Sequence, residues 1–597
     1  MPRIRLTVAA LLLGGLAFSA AAQADTACPD GARCAHLTVP LDRSDLSQGT
    51  IDVAYALLPR TDTSRPALGT IVPNPGGPGQ STIASAGLYT GALTPLRKRR
   101  DLLLIDPRGT GQSGALPCPS LAARDPLSLD YAGVQAVCAA DTGPRARFYG
   151  SAAVADDIDA VRASLGVDKL DLWGDSYGTY LMPVYAARHP QHVRSIVLDG
   201  AYPIAFDPWG RDVLRGTRRV IGLVCERTRR CSGPRVLEQI EQLARRLRRH
   251  PVHFSAESPI GRVPLSIGER ELANVVYGGG HPEVYGLLPA AVAAALDHDY
   301  APLQRMVAVD RIGQAGSLLL DPSVVSFGGQ TATTCHDYPR PFSLAATPAE
   351  RRAAYDTALA ALDPAQFAPF SPDAWLSTGI EGGPKCLDAI ADPTAGSPVQ
   401  GLAMPDVPVL VQSGDLDTNT PIEQGRLAAA QFAHPIRGIV ANAGHTPDLQ
   451  PCGVAMAIDF IEHLTTDPDR CRHAGRPPVV AGRPARRAAE LASGPVRRAV
   501  AVAVATLADA RTAATYSGMT GSLDALRGGT YVVSEKRVRF AGARVVSDAR
   551  ADGTFAVGTG IARLRLRGPG VPHAVLTLTA TRATGTVAGR RVAVRLP

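Results

Sequence analysis

No stretch of the 597-residue chain carries the roughly 20 consecutive apolar residues that a bilayer-spanning helix needs. No transmembrane segment is therefore expected in the mature chain. There is also no C-x-x-C pair and no His/Cys cluster at zinc-site spacing, which excludes the common zinc centres. No metal and no cofactor is expected. The first cysteine past the leader, Cys28, follows Asp25-Thr-Ala rather than an apolar lipobox, so lipid anchoring is not expected either. A basic excess is missing from most of the chain. Up to residue 475 there are 42 Lys+Arg against 48 Asp+Glu, and nothing points to nucleic acid.

What is present begins with a leader. Arg3 and Arg5 precede the apolar run Leu6 to Phe18, and Ala22-Gln-Ala24 offers a small-x-small cleavage site, so 1–24 reads as an export signal. Export changes the meaning of the ten cysteines, because an even count in an oxidising compartment suggests disulfides. In chain order they fall as Cys28/Cys34, Cys118/Cys138, Cys225/Cys231, Cys335/Cys386 and Cys452/Cys471. Nearest-neighbour pairing is the simplest hypothesis, although spacing alone leaves connectivity open. From Arg476 onward the balance reverses to 20 Lys+Arg against 6 Asp+Glu, an excess of +14. Such a tail on an exported protein suggests an anionic partner such as an envelope polymer. A merely solvated Arg-rich surface is the alternative.

The chain is too long for one core. Ala35 to Val39 and Ile51 to Leu58 read as strands, as do Gly69 to Val72, Asp101 to Ile105, Lys169 to Trp173 and Val193 to Leu198. Ala152 to Leu165 is an amphipathic helix between two of them. Strands alternating with helices indicate an α/β fold with a parallel sheet. From about Tyr202 to Pro405 the rhythm becomes helical and Arg-rich, too long for a loop and read as a cap inserted between two strands. Its aromatics, Trp375 among them, are expected in a core. Strands return at Val407 to Gln412 and Ile436 to Val440. In the tail, Ala485 to Ala513 has a helical pattern broken at Gly494-Pro495. Short alternating runs from Thr530 predict a small antiparallel β domain, separate from the rest and surface-binding.

Gly174-Asp-Ser176-Tyr-Gly178 stands between a strand and a helix, the context of a nucleophile elbow. The flanking glycines leave room for a strained serine, and the next N–H, of Tyr177, faces a developing oxyanion. The double glycine in Pro73-Asn-Pro-Gly-Gly-Pro-Gly79 supplies a second donor, Gly77, with Gly76 the alternative. A base and an orienting acid complete such a site. Asp415 or Asp417 and then His445 follow the last two strands, in the order Ser…Asp…His of this architecture. A lone His or Asp in such turns is ordinarily a surface residue, and it is the joint arrangement that carries the reading.

Asn74-Pro-Gly-Gly-Pro-Gly79, Asp106-Pro-Arg-Gly-Thr-Gly111, Gly174-Asp-Ser-Tyr-Gly178, Gly414-x-x-Asp417-x-x-Thr420-Pro421 and Gly444-His445 resemble the exported tripeptidyl aminopeptidases, relatives of prolyl aminopeptidase. Val39-Pro-Leu-Asp42 and Thr334-Cys-His-Asp337 are similar to that family's opening strand and cap. The resemblance covers roughly 26–475. It implies an α/β-hydrolase fold, a serine exopeptidase with a helical cap admitting free N-termini, and Asp417 as the triad acid. The expected organisation is signal peptide 1–24, hydrolase core 25–201 and 406–475, cap 202–405, linker and helix 476–529, and β domain 530–597. The expected activity releases short peptides from peptide or protein N-termini through an acyl-enzyme on Ser176. A carboxylesterase or lipase using the same triad is the alternative, as is a binding protein dominated by the basic tail.

Overall fold

The computed structural model describes residues 28–129, 131–258, 261–378, 383–517 and 521–596; the expected leader, 1–24, lies outside them. Six strands open the fold: β1 (Arg33–Pro40), β2 (Thr50–Leu58), β3 (Thr70–Asn74), β4 (Asp101–Ile105), β5 (Leu170–Asp175) and β6 (Val193–Asp199). A hairpin, β7 (Val252–Ser258) and β8 (Gly261–Ile267), precedes β9 (Val409–Gly414) and β10 (Pro435–Val440). Eight of these form one sheet in the order β1-β2-β4-β3-β5-β6-β9-β10. The β1/β2 and β2/β4 pairs are antiparallel and the rest are parallel. Central strands are apolar on both sides because helices cover both faces, and Leu102, Leu103 and Leu104 are all fully buried.

The loop after β4 is stapled rather than left as a surface turn. Arg108 donates from Nε and Nη2 to the two carboxylate oxygens of Asp157 at 2.6 and 2.7 Å, and from Nη1 to the carbonyls of Leu41 and Phe148. Both side chains are buried. A forked, fully hydrogen-bonded pair offsets its own desolvation, and removing one partner costs about 3–5 kcal/mol. Asp106-Pro-Arg108 is thus a structural clamp joining β4, β1 and the Ser151–Ser164 helix.

The chain between β6 and β9 forms the cap. Its helices Arg211–Thr228 and Gly233–Arg249 bury Val213, Leu214, Val220, Ile221 and Val224, and Val236, Ile240, Leu243 and Leu247, at helical spacing. Trp375 is fully buried in this core. The cap is mostly helical, as expected, and the β7/β8 hairpin is an addition to it whose overlooked signal was the alternation of Val252, Phe254 and Ala256. The cap is latched to the hydrolase core at several places, two of them near the glycine loop and the Ser151–Ser164 helix. Asp337 Oδ2 accepts the Ser151 N–H at 2.6 Å, and Ser326 donates its N–H to Gly79 O at 2.8 Å. Disulfides join Cys28–Cys34, Cys118–Cys138, Cys225–Cys231, Cys335–Cys386 and Cys452–Cys471.

The tail forms a second eight-stranded sheet: β11 (Gly521–Asp524), β12 (Thr530–Val533), β13 (Arg537–Val546), β14 (Ala549–Ala556), β15 (Ile561–Arg567), β16 (Ala574–Leu578), β17 (Arg582–Val587) and β18 (Arg590–Arg595). Every neighbour is antiparallel and consecutive. The Pro495–Ser517 helix shares its core, with Ala499, Val502, Ala503 and Ala510 among Tyr531, Phe540, Leu564 and Leu566. The sheet begins at Gly521, ahead of the expected 530, and this helix is part of the domain rather than a linker. The domain is docked, not separate, which corrects the other expectation for it. Arg305 of the cap pairs with Asp509, and cap Asp299 receives Arg527 at 2.7 Å and Arg486 at 3.3 Å. Ala481 N–H donates to Gly286 O on the cap helix Pro282–Leu296 at 2.9 Å. Proline-rich composition at 476–484 looked like a linker, but the partners of these arginines lie far off in sequence.

Candidate active site

Ser176 follows the last residue of β5 in the left-handed region, φ 53°, and the Gly178–Arg188 helix starts two residues later. An L-residue is strained there and persists where its surroundings hold it. Here the Ser176 N–H donates to Asp199 O at 3.0 Å. The turn is too tight for flanking side chains. A Cβ on Gly174 would stand 2.2 Å from Gly178 O, and one on Gly178 would stand 2.5 Å from Asn74 O. Ser176 itself remains partly exposed.

The loop after β9 carries two acids with different surroundings. Asp417, fully buried, accepts from Asn419 N–H and Thr420 N–H at 2.7 and 3.0 Å and from the Thr420 hydroxyl at 2.7 Å. Its Oδ2 lies 3.0 Å from His445 Nδ1. Burial pushes this carboxyl up, but the His445 charge and these hydrogen bonds outweigh burial and hold it below the usual carboxylate range. Asp415 turns instead to Arg227, 2.5 Å away, and to the Asn442 N–H. The Thr420 hydroxyl lies 3.0 Å from His445 Nδ1 as well, so it braces acid and imidazole together. Sequence reading had Thr420 in a motif but gave it no task.

His445 is set from both sides. Its backbone N–H donates to cap residue Gly280 O at 3.0 Å, and a Cβ on Gly200 would stand 3.1 Å from its Nδ1. Asp199-Gly200 thus touches both functional loops, since Asp199 O holds the Ser176 N–H. The structure brings Ser176, Asp417 and His445 to the same side of the sheet, beyond the carboxyl ends of β5, β9 and β10.

The glycine loop after β3 lies against the elbow. A Cβ on Gly76 would stand 2.9 Å from both Tyr177 N and Ser176 Cβ. The Gly76 N–H is engaged with Asn74 Oδ1 at 3.1 Å. The N–H groups of Gly77 and Tyr177 donate to no group among the described residues.

Beneath the elbow lies a cluster that sequence reading missed. Asp175, Asp199 and Asp448 are buried, and one carboxylate oxygen from each lies within 4.8 Å of the others. Tyr89 OH and Trp173 Nε1 donate to Asp175 at 2.7 and 2.8 Å, and Asp448 N–H donates to Asp199 Oδ2 at 2.6 Å. Asp199 Oδ1 is buried without a hydrogen-bond partner among the described residues. Burial, followed by the Asp448 carboxylate, pushes Asp175 and Asp199 well above the usual range. Among the described residues these acids form a group whose oxygens lie close enough together to hold a cation. Asp175 was visible as the second residue of the elbow motif, but its companions come from the end of β6 and from the turn at Pro447–Leu449.

Residues 69–223 match the family model of the alpha/beta hydrolase fold. A serine protease, Hip1, of Mycobacterium tuberculosis is 39% identical over 199 residues, 30% of this chain and 38% of the relative. A tripeptidyl aminopeptidase of Streptomyces lividans is 31% identical over 195 residues, 30% of this chain and 36% of that protein. A carboxylesterase B of Mycobacterium tuberculosis is 37% identical over 206 residues, 31% and 39% respectively. The chain spans under two fifths of the length of these curated relatives. With its strand order, its serine turn after β5 and this family match, the chain has the α/β-hydrolase fold and resembles serine hydrolases of the tripeptidyl aminopeptidase kind.

Proposed function

We propose that the protein is an exported serine exopeptidase that cleaves near free N-termini and releases short peptides. The observation that carries the reading is the strained Ser176, tied through Asp199-Gly200 to a histidine whose Nδ1 meets a buried, ionised carboxylate. In this reading Ser176 Oγ attacks the scissile carbonyl while His445 takes its proton and returns it to the departing amine. Asp417 holds the imidazole tautomer and stabilises the imidazolium, with Thr420 bracing both. The N–H groups of Tyr177 and Gly77 receive the oxyanion. Water then releases the acyl group from Ser176. Five disulfides fit an oxidising compartment outside the cytosol.

The similarity to a carboxylesterase favours a second reading, an esterase on the same residues, because acyl-enzyme chemistry is common to both. A matched panel separates them: free-amino and N-blocked peptide anilides beside short- and long-chain esters. Preference for free-amino peptides supports the exopeptidase. Ester turnover with no peptide turnover replaces it with the esterase.

A further inference from the structure

We propose that the outer face of the C-terminal sheet is a docking surface for an extended acidic polysaccharide. Strand alternation builds this face. In β15 Ala562, Leu564 and Leu566 are buried while Arg563, Arg565 and Arg567 are exposed. Along one strand such residues recur every ~7 Å. Cross-strand register extends the patch, since Arg563 stands opposite Thr554, which stands opposite Arg539, and Arg567 stands opposite Arg550. Through Val575 and Thr586, Arg565 is in line with Arg591 on β18. From β13 to β18 the face spans about 24 Å at ordinary strand spacing.

None of Arg539, Arg550, Arg563, Arg565, Arg567 and Arg591 forms an ion pair among the described residues. The same domain supplies its own control. On its docking side Arg486 and Arg527 meet Asp299 of the cap, and Asp509 meets Arg305. Arginines needed for folding are paired there, whereas those of the outer face are not. Two arginines directly opposite each other, as at 550 and 567, destabilise a strand pair. Asp552 is the acid in this row, opposite Arg565, and its Oδ1 is engaged by the Gly542 N–H.

The chemistry selects the partner. A flat lattice of guanidinium groups complements repeated carboxylate, sulfate or phosphate groups. Threonines 554, 577, 584 and 586 share the face and offer hydroxyls suited to sugars. Tyr531, Phe540 and Phe555 are buried inward, which leaves no aromatic platform there for stacking bases. Val557 and Val575 are the exposed large apolar residues of the domain, too small to anchor it in a bilayer. This inference does not depend on the reading of the triad.

The test uses the full chain and polygalacturonate as probe, with vesicles of phosphatidylglycerol and phosphatidylcholine and a duplex DNA as rivals. Wild-type binding to polygalacturonate should weaken linearly on a log–log plot against salt. R563Q/R565Q/R567Q should lose about tenfold or more in affinity near 0.15 M salt and show a shallower slope, with turnover of a small substrate unchanged. R563K/R565K/R567K should retain most of the binding. The proposal is overturned by equal binding of the Gln variant and wild type. Equal loss in the Lys and Gln variants, or tighter binding of vesicles or DNA than of polygalacturonate, overturns it as well.

Discussion

The molecule contains two eight-stranded sheets that put their side chains to different uses. In the core sheet both faces are covered, so β3 to β6 and β9 have no face to spare and chemistry gathers where the strands end. Ser176, Asp417 and His445 all sit in loops just beyond a strand. In the C-terminal sheet one face rests on the Pro495–Ser517 helix and the other meets solvent, so alternate residues are open along the strands. A parallel sheet offers the carboxyl ends of its strands, an antiparallel one its face. Substitutions at the first site should therefore act on turnover, and those at the second on attachment.

The largest effect should come from Ser176→Ala, with kcat lower by roughly 10⁴ to 10⁶ and melting unchanged. Residual turnover near wild type would remove the serine from the mechanism. Asp417→Asn should cost about 10⁴ in kcat, since the histidine loses its tautomer. Asp415→Asn should be far milder, its partner being Arg227. The reverse order in steady-state kinetics would move the acid to Asp415. Gly76→Ala should lower kcat by about 10²–10³, because the added methyl would crowd the Tyr177 N–H. Wild-type rates in both Gly76→Ala and Gly77→Ala would exclude this loop.

Below these comes an effect of pH on stability. Asp175 and Asp199 are raised in the folded state, so the folded chain holds protons that unfolded carboxyls release above about pH 4. Their stabilisation is fully present below that unfolded value and is lost as pH rises through the folded ones. Tyr89, Trp173 and Thr446 hydrogen-bond to the cluster, whose third member is Asp448, and none of these groups is basic. The melting temperature should therefore fall toward alkaline pH, and Asp199→Asn should flatten that slope. An identical pH profile in the variant would refute the shared protons. The smallest effect belongs to the tail contact. Asp299→Ala strands Arg486 and Arg527 and should cost about 1–3 kcal/mol, seen as earlier melting with kcat nearly intact.

The serine turn was legible because Gly174, Ser176 and Gly178 are adjacent in sequence and steric need is local. An acid and a histidine beyond β9 and β10 were legible as candidates because each follows an apolar strand, but strand pattern alone left Asp415 and Asp417 equal and only the resemblance favoured Asp417. The alternation of Arg563, Leu564 and Arg565 announced a half-exposed strand. The acid cluster was hidden because Asp175 and Asp199 end two strands and Asp448 sits in a turn 249 positions beyond Asp199, though the backbone brings them together. Thr420 needed the fold of its own turn before its hydroxyl acquired a task. Docking of the tail was invisible for the same reason, since Asp299 and Arg527 lie 228 positions apart.

The point at which the cap leaves and rejoins the core has its own consequence. It departs after β6 and returns at β9, and these strands are neighbours, with Ile196 beside Val409. A short connection could therefore replace some 200 residues without breaking the sheet, and in topology the cap is an optional module. In chemistry it is not, because the Gly280 carbonyl of that module receives the backbone N–H of His445. Lineages or engineers could exchange caps on this scaffold to change what enters. Each replacement would have to offer one carbonyl at that spot or accept a loosened histidine.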